Sequence, residues 1–287
     1  MLSGSSYNTE HTIQTLILNR VVQMNIATAL IMEDDADWDV RIKEQLSDLE
    51  LATRALIQPL SEDPSTYADS TYPSPIDASA LPVSNFNFGQ LPLTMEPTNS
   101  PFGDNWDVLW FGHCGLQFPS ASLPGAGNIP RGRVVRYEDS TVPQRQYLET
   151  VSGVNSLKDE YLSHTRVAHH VSDGACSLSY AVTQAGARHL LYWLGLKEVT
   201  APFDILLRQF CEGTGGKAYH NCLTVQPALF QHYRPAGNKT FESEITSHGT
   251  EFRKEPMTKM IRWSVRLNLE ALLNGRTDFV DQFPDME

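Results

Sequence analysis

An uncharged run at residues 27–32 passes directly into a dense acidic cluster, and this junction constrains the fold more than any other feature of the chain. The run, ATALIM, is short and apolar enough to predict a buried strand. Five of the next seven residues are acidic, namely Glu33, Asp34, Asp35, Asp37 and Asp39. In open α/β sheets, ligands bind beyond the carboxyl ends of the strands. The junction therefore predicts a carboxylate site at the edge of such a sheet.

The acidic cluster offers the hard oxygen ligands that Mn²⁺ and Mg²⁺ prefer. Side chains two positions apart on an extended segment point to the same side, so we expect Glu33, Asp35 and Asp37 to face one pocket and hold the cation. If the chain turns at Asp34, that residue is expected to contact the substrate instead. The alternative without a metal is a set of solvated acids, with Asp39 favouring the start of the next helix.

Composition limits the class of protein. A chain of 287 residues with 41% hydrophobic and 20% charged residues can bury the core of one large domain or two small ones. The net charge of −12, without any long basic run, argues against a nucleic-acid partner. No apolar segment is long enough to predict a membrane span, and the N-terminus has no signal-peptide pattern. A cytoplasmic location is the default expectation.

The four cysteines lack the paired CxxC spacing of a zinc site, and we expect buried free thiols. A Cys211–Cys222 pair is the alternative if the chain is secreted. The chain also lacks the GxGxxG, Walker A and GxSxG motifs. This disfavours a Rossmann dehydrogenase, a P-loop NTPase and an α/β-hydrolase.

Strand and helix patterns alternate along the chain, which predicts an α/β fold with a mostly parallel sheet. The expected helices cover residues 11–25, 41–57, 183–194, 202–211 and 257–273. The expected strands cover residues 27–32, 106–111, 132–137, 166–171, 177–182 and 223–225. Thr183 is the expected N-cap of the third helix, and Asn274 and Gly275 form the expected C-cap of the last. We expect a disordered start at 1–10, a single domain at 11–275 and a tail at 276–287, with a Pro/Ser-rich insertion or loop at 61–105.

Several segments, in this order, resemble glycosyltransferase family 25, the lipopolysaccharide and collagen galactosyltransferase-like enzymes, and most of all its fungal branch. They are TALIMEDDADWD at 28–39, WDVLWFGHCG at 106–115, YAVTQAGARHLL at 180–191, PFDILL at 202–207, VQPALF at 225–230, RPAG at 234–237 and IRWSVRLN at 261–268. Each segment alone is a weak signal, whereas the ordered set is specific.

The resemblance implies a GT-A-like fold, with a Rossmann-type mixed sheet flanked by helices. It implies transfer of a hexose, with galactose expected, from a nucleotide-sugar donor such as UDP-galactose to an unknown glycan or protein acceptor. It also implies Mn²⁺ (or Mg²⁺), bound by the acidic cluster in the DxD role. The cation would then stabilise the charge that develops on the departing UDP.

The same family resemblance implies roles for residues further along the chain. Asp204 is the candidate general base, although an acid in a first helical turn also interacts well with the helix dipole. His232 is expected to complete the metal shell, or to be a hydrogen-bonded loop histidine. Arg234 and Lys239 are candidates for diphosphate contact or are surface charges. His113 either lines the site or fills space at a strand end. Trp38 is the candidate for stacking on a sugar.

The chain departs from the family at its start. Family members carry a first strand and a short basic-acidic motif well upstream of the acidic strand, and only 32 residues precede Glu33 here. The comparison therefore predicts a shortened nucleotide-binding half. Two alternatives follow: a catalytically inactive glycosyltransferase-like binding protein, or a different phosphoryl-transfer or hydrolytic enzyme with two metals about 4 Å apart.

Overall fold

A computed structural model describes residues 3–73, 83–120, 126–149, 156–197, 200–238 and 252–286. Its helices are α1 (Ser3–Gln23), α2 (Ile42–Ile57), α3 (Ser156–Glu160), α4 (Gln184–Leu190), α5 (Phe203–Glu212) and α6 (Leu269–Leu273). Its strands are β1 (Thr28–Met32), β2 (Ala36–Trp38), β3 (Asn85–Asn87), β4 (Val108–Gly112), β5 (Arg133–Arg136), β6 (Arg166–His170), β7 (Ser179–Thr183), β8 (Cys222–Gln226), β9 (Phe230–Arg234), β10 (Gly237–Asn238), β11 (Phe252–Arg253) and β12 (Met257–Thr258).

The strands form one large mixed sheet with the order β1-β7-β4-β8-β6-β5-β3. Strand β4 lies parallel to β8, and β3 lies parallel to β5. The pairs β1–β7, β4–β7, β6–β8 and β5–β6 are antiparallel. Strand β9 continues the sheet beyond the end of β4 and pairs with β2 and β12. The chain therefore has a mixed α/β fold, and the mixed sheet that the family resemblance implied is confirmed. The mostly parallel sheet predicted from the alternation of strands and helices is wrong.

Helices cover both faces of this sheet. On one face, residues of α1, α4 and α5 pack on the buried side chains of Trp110, Tyr180 and Val182. On the other face, Leu49, Leu56 and Ile57 of α2 pack over Leu109, Phe111, Leu223 and Val225. Successive side chains along a strand point to opposite faces of the sheet. Neighbouring residues of one strand are therefore buried in two different hydrophobic cores, one on each face.

Several local predictions are confirmed. Helix α2 spans nearly the stretch expected for it, and strands β4 to β8 lie where strands were expected. Helix α4 has Thr183 as its N-cap, where the hydroxyl oxygen accepts the N–H of Gly186 at 2.9 Å. Gly275 adopts a φ of 65°, which suits the end of a helix. Residues 61–105 are largely irregular apart from β3 and a short 3-10 turn, and part of them, 74–82, lies outside the described residues.

Three local predictions differ from the structure. Helix α1 begins at Ser3, within the stretch expected to be a disordered start. Strand β1 is not buried: it pairs with β7 at the edge of the sheet, and Leu30 and Met32 are 46% and 45% exposed. A short apolar run does not distinguish an edge strand from a central one. Residues 257–273 form β12, turns and the short α6 instead of one helix. The hydroxyls of Thr258 and Ser264 bind Asp37 of β2, and β12 pairs with β9, so this segment is held in a non-helical conformation.

The cysteines form two disulfides, Cys114–Cys176 and Cys211–Cys222, so the prediction of free thiols is wrong. The first bridge joins positions 62 residues apart, and only the tertiary fold brings them together. The second is the pair expected in an oxidising compartment. Among the described residues, no helix combines the length and the apolar character that crossing a membrane requires.

Candidate functional site

A tight turn places the acidic cluster between two strands. The chain leaves β1 at Met32, and the N–H of Glu33 donates to the carbonyl of Leu178 at 2.9 Å. It then turns and enters β2, which pairs antiparallel with β9. The carbonyl of Asp35 accepts the N–H of Tyr233 at 2.8 Å. This pairing brings the acidic turn beside the polar side chains of β9, at the carboxyl ends of β1 and β4.

Asp35 lies at the centre of this cluster. Its Oδ2 lies 3.1 Å from Nδ1 of His232 and accepts a hydrogen bond from Nη1 of Arg234 at 3.0 Å. Burial raises the pKa of Asp35, but the hydrogen bonds and charges of these two partners outweigh it and hold the pKa below its usual value. Its Oδ1 is buried without a hydrogen-bond partner among the described residues. Asp35 is therefore a charged carboxylate with one oxygen left for a cation.

Glu33 and His232 complete a possible ligand set with Asp35. One ligand atom from each of the three residues lies within 4.8 Å of the other two. Burial, with further contributions from the charges of Asp35 and Glu10, raises the pKa of Glu33 to about 7. A bound cation would relieve this repulsion between carboxylates. Two carboxylates and one imidazole fit Mn²⁺ well, and Mg²⁺ less well because it favours oxygen ligands.

Two further acids lie next to this ligand set. Asp204, at the start of α5, accepts the N–H of Cys176 at 2.9 Å and that of Ile205 at 2.8 Å. Burial, together with the charge of Asp204, raises the pKa of Glu10. Ser177 Oγ lies 3.4 Å from Oε1 of Glu10. The sequence did not indicate Glu10 or Ser177, since the segment containing Glu10 was expected to be disordered.

Tertiary contacts fix Glu10 in this position. Helix α1 is anchored one residue later, where Nε2 of His11 lies 2.7 Å from the carbonyl of Leu194. One turn further, Oε1 of Gln14 accepts the hydroxyl of buried Tyr180 at 2.6 Å. Both contacts hold the helix against β7 and the segment after α4. Glu10 therefore lies on the face of α1 that contacts the site.

The Cys114–Cys176 disulfide forms one wall of the site. Sγ of Cys114 lies 3.8 Å from Nε2 of His232, and the backbone N–H of Cys176 binds Asp204. The loops that carry the two cysteines are also paired through Cys114 N–H and the carbonyl of Ala175 at 2.9 Å. The bridge thus connects the candidate metal ligand His232 with the candidate base Asp204.

Asp37 does not join this group, so its predicted place among the metal ligands is wrong. Its carboxylate is buried and accepts the hydroxyls of Thr258 and Ser264. It also accepts the N–H of Trp38 at 2.9 Å and that of Arg266 at 3.2 Å. The turn after Glu33 interrupts the extended conformation, so positions 35 and 37 point to different sides. Asp37 instead connects β2 with the segment after β12.

The other residues that the sequence predicted for the site differ in their burial and contacts. The side chain of Asp34 is exposed in the turn. Trp38 is partly buried and packs on Phe230, with 5.7 Å between ring centroids, and its stacking on a sugar stays a prediction. His113 is buried, with Nε2 2.9 Å from the carbonyl of Val225, and burial lowers its pKa to about 4. It also lines a small cavity with Gln231 and Met260. Lys239 lies outside the described residues.

Comparisons with protein-family models, with curated proteins and with solved structures gave no match for this chain.

Proposed function

We propose that the chain is a metal-dependent glycosyltransferase of family 25 type, with a GT-A-like fold, that transfers a hexose from a nucleotide-sugar donor. The observation that carries this proposal is the convergence of Glu33, Asp35 and His232 at the carboxyl end of β1. The sequence resemblance supplies the donor class, with UDP-galactose first, and galactose as the expected sugar. The acceptor is a glycan or a protein.

Each of the residues at the site has a separate role in the proposed reaction. Glu33, Asp35 and His232 would hold Mn²⁺, which would supply positive charge to the diphosphate of the departing UDP. Arg234 orients Asp35 through the hydrogen bond between them. In this proposal its guanidinium also contacts the diphosphate oxygens. Asp204 takes the proton of the attacking hydroxyl, and its two backbone N–H contacts fix the direction of its carboxylate.

The main competing function is binding of a glycan or partner without catalysis. It shares the same acidic site but requires no donor nucleotide. A two-metal phosphoryl-transfer or hydrolytic enzyme is the other competitor. It requires a second cation about 4 Å from the first. A titration of the metal ion into the protein should then give two equivalents bound at this site.

The test is calorimetric titration of UDP into the purified chain with and without Mn²⁺. The wild-type protein and Asp35→Ala are compared, and Asp278→Ala is the control because it removes an exposed carboxylate outside the acidic turn. We expect Mn²⁺-dependent UDP binding that is lost in Asp35→Ala and kept in Asp278→Ala. Release of UDP from UDP-galactose should follow the same pattern.

Two results would contradict the proposal. If the wild-type protein is folded by circular dichroism but does not bind UDP with Mn²⁺, the transferase is excluded and the inactive binding protein is favoured. If UDP binds equally well without Mn²⁺ and in Asp35→Ala, the acidic turn is not the donor site.

A further inference from the structure

A second cluster of metal-ligating side chains lies at the opposite end of β4 from the acidic site. Asp107 immediately precedes β4, His220 lies just before β8, and His189 belongs to α4. Strand β4 has five residues, and a strand rises about 3.3 Å per residue, so roughly 16 Å of strand separates the two ends. This cluster is therefore independent of Glu33, Asp35 and His232.

The two histidines point a ring nitrogen at the same carboxylate. Nδ1 of His189 lies 2.9 Å from Oδ1 of Asp107, and Nδ1 of His220 lies 3.3 Å from Oδ2. The ring centroids of the histidines are 4.9 Å apart. A tetrahedral Zn²⁺ with ligand bonds of about 2.0–2.1 Å holds its ligand atoms about 3.3 Å apart. The observed separations need only small shifts to admit the ion.

Rigid elements hold each of the three residues. The N–H of Asp107 donates to the carbonyl of Asn221 at 2.8 Å, and the N–H of Asn221 donates to Oδ2 of Asp107 at 3.2 Å. The ring of His220 stacks on Phe210, with 3.8 Å between centroids. Helix α4 packs directly on this end of β4, since a Cβ at Gly186 would lie 2.2 Å from the carbonyl oxygen of Asp107. Such support is typical of a preorganised metal site.

The cluster is open on one side. The side chains of Asp107 and His220 are 17% and 11% exposed, whereas that of His189 is 52% exposed. Two protein ligands are thus shielded, while water has access beside the third. Two imidazoles and one carboxylate suit Zn²⁺ better than Mg²⁺, which favours oxygen ligands.

We propose that Asp107, His189 and His220 bind one Zn²⁺ ion, with water as the fourth ligand. The ion connects the amino ends of β4 and β8 to helix α4. It binds the folded chain and not the separated residues of the unfolded chain, so it stabilises the fold by an amount that rises with the logarithm of the free Zn²⁺ concentration once the site is occupied.

The test is a calorimetric titration of Zn²⁺ into the full chain, without reductant so that both disulfides stay closed. The background variant is Asp35→Ala, which weakens the acidic site. We expect one equivalent of Zn²⁺ to bind and the melting temperature to rise. Adding His189→Gln should weaken binding at least about tenfold and abolish the rise, because one of the three protein ligands is lost.

Two controls separate this site from nonspecific binding by histidines. His164→Gln, in the same background, removes a histidine paired with a single aspartate, Asp285, and should leave Zn²⁺ binding unchanged. Co²⁺ used in place of Zn²⁺ should give the visible absorption of a tetrahedral ion, which His189→Gln should remove. If the folded Asp35→Ala protein binds no Zn²⁺, or binds it equally well with His189→Gln, the three residues form only a structural ion pair and the proposal is overturned.

Discussion

The backbone N–H of Cys176 donates a hydrogen bond to Oδ2 of Asp204 at 2.9 Å. Because Cys176 is also bridged to Cys114, whose sulfur lies 3.8 Å from His232, one covalent link spans the proposed base and the proposed metal ligands. The direction of the Asp204 carboxylate is thus set by the backbone and not by a mobile partner side chain. The proposed role of Asp204 as the base can be tested at Asp204 itself.

Replacing Asp204 by Asn is expected to lower turnover without lowering donor affinity. The amide keeps one acceptor oxygen for the N–H of Cys176 but cannot take a proton from the attacking hydroxyl. We expect the rate of UDP release from UDP-galactose to fall by about 100-fold or more, with Mn²⁺-dependent UDP binding unchanged. The control is Asp173→Asn, another half-exposed acid, which pairs with Arg208. Full turnover in Asp204→Asn would exclude Asp204 as the base.

Opening the Cys114–Cys176 bridge should lower both the affinity of the acidic site for UDP and the free energy of unfolding. In the double variant Cys114→Ser with Cys176→Ser, a closed loop of 62 positions is lost, which costs about 2–4 kcal/mol of unfolding free energy. We also expect weaker Mn²⁺-dependent UDP binding, since the loops next to His232 and Asp204 are released. The measurements are urea unfolding and calorimetry.

The other disulfide provides the control for this experiment. Cys211→Ser with Cys222→Ser opens a bridge between positions only 11 residues apart, at the amino end of β8. It should reduce stability but keep UDP binding. Equal loss of UDP binding in both double variants would show that the effect arises from general destabilisation and not from the wall of the site.

The sequence was sufficient to predict an α/β fold and the place where strand β1 meets the acids, because both depend on local patterns. It was not sufficient for the sheet order. Whether β7 lies parallel or antiparallel to its neighbours depends on long connections, including residues 61–105, that carry no periodic signal. The edge position of β1 is likewise a tertiary property that six apolar residues cannot encode.

The candidate site was predictable only in part, for a similar reason. Glu33, Asp35, His232 and Arg234 were each indicated by the sequence, and the structure brings them together through the pairing of β2 with β9. The prediction for Asp37 was wrong because the chain turns after Glu33 and is not extended from position 33 to position 37. Glu10 and Ser177 had no local signal, since each reaches the site through packing between elements distant in sequence.

The burial of Asp37 leads to a prediction that separates structure from metal binding. Asp37→Asn should reduce the unfolding free energy by about 1–3 kcal/mol. The carboxylate accepts two hydroxyls at Oδ2 and two backbone N–H groups at Oδ1, and the amide NH₂ of Asn must face one of these two pairs of donors. Mn²⁺-dependent UDP binding should persist in the folded fraction. If Asp37→Asn abolished metal binding at full stability, Asp37 would be a ligand after all.

The buried ion pair of Asp139 and Arg166 should govern part of the acid sensitivity of the fold. Nε of Arg166 donates to Oδ2 of Asp139 at 2.6 Å, and both side chains are nearly inaccessible to water. Burial raises the pKa of Asp139, but the charge of Arg166 and hydrogen bonds from Thr141 outweigh it and lower the pKa to about 2. The folded-state pKa thus lies below the unfolded value of about 3.9. The stabilisation is fully present above about pH 4 and is lost as the pH falls towards 2.

Asp139→Asn is therefore expected to lower the unfolding free energy by about 3–5 kcal/mol at pH 7, because it leaves the Arg166 charge buried without its counter-ion. As the pH falls from about 4 towards 2, Asp139 takes up a proton first in the unfolded and then in the folded wild-type protein, so the difference between the two proteins should shrink. Urea unfolding at pH 7, 4 and 3 measures this convergence. The matched control is Asp278→Asn, whose partner Arg276 is exposed, and which should change stability by less than about 1 kcal/mol. A difference between wild type and Asp139→Asn that stays constant across this range would mean that the pair does not titrate with folding.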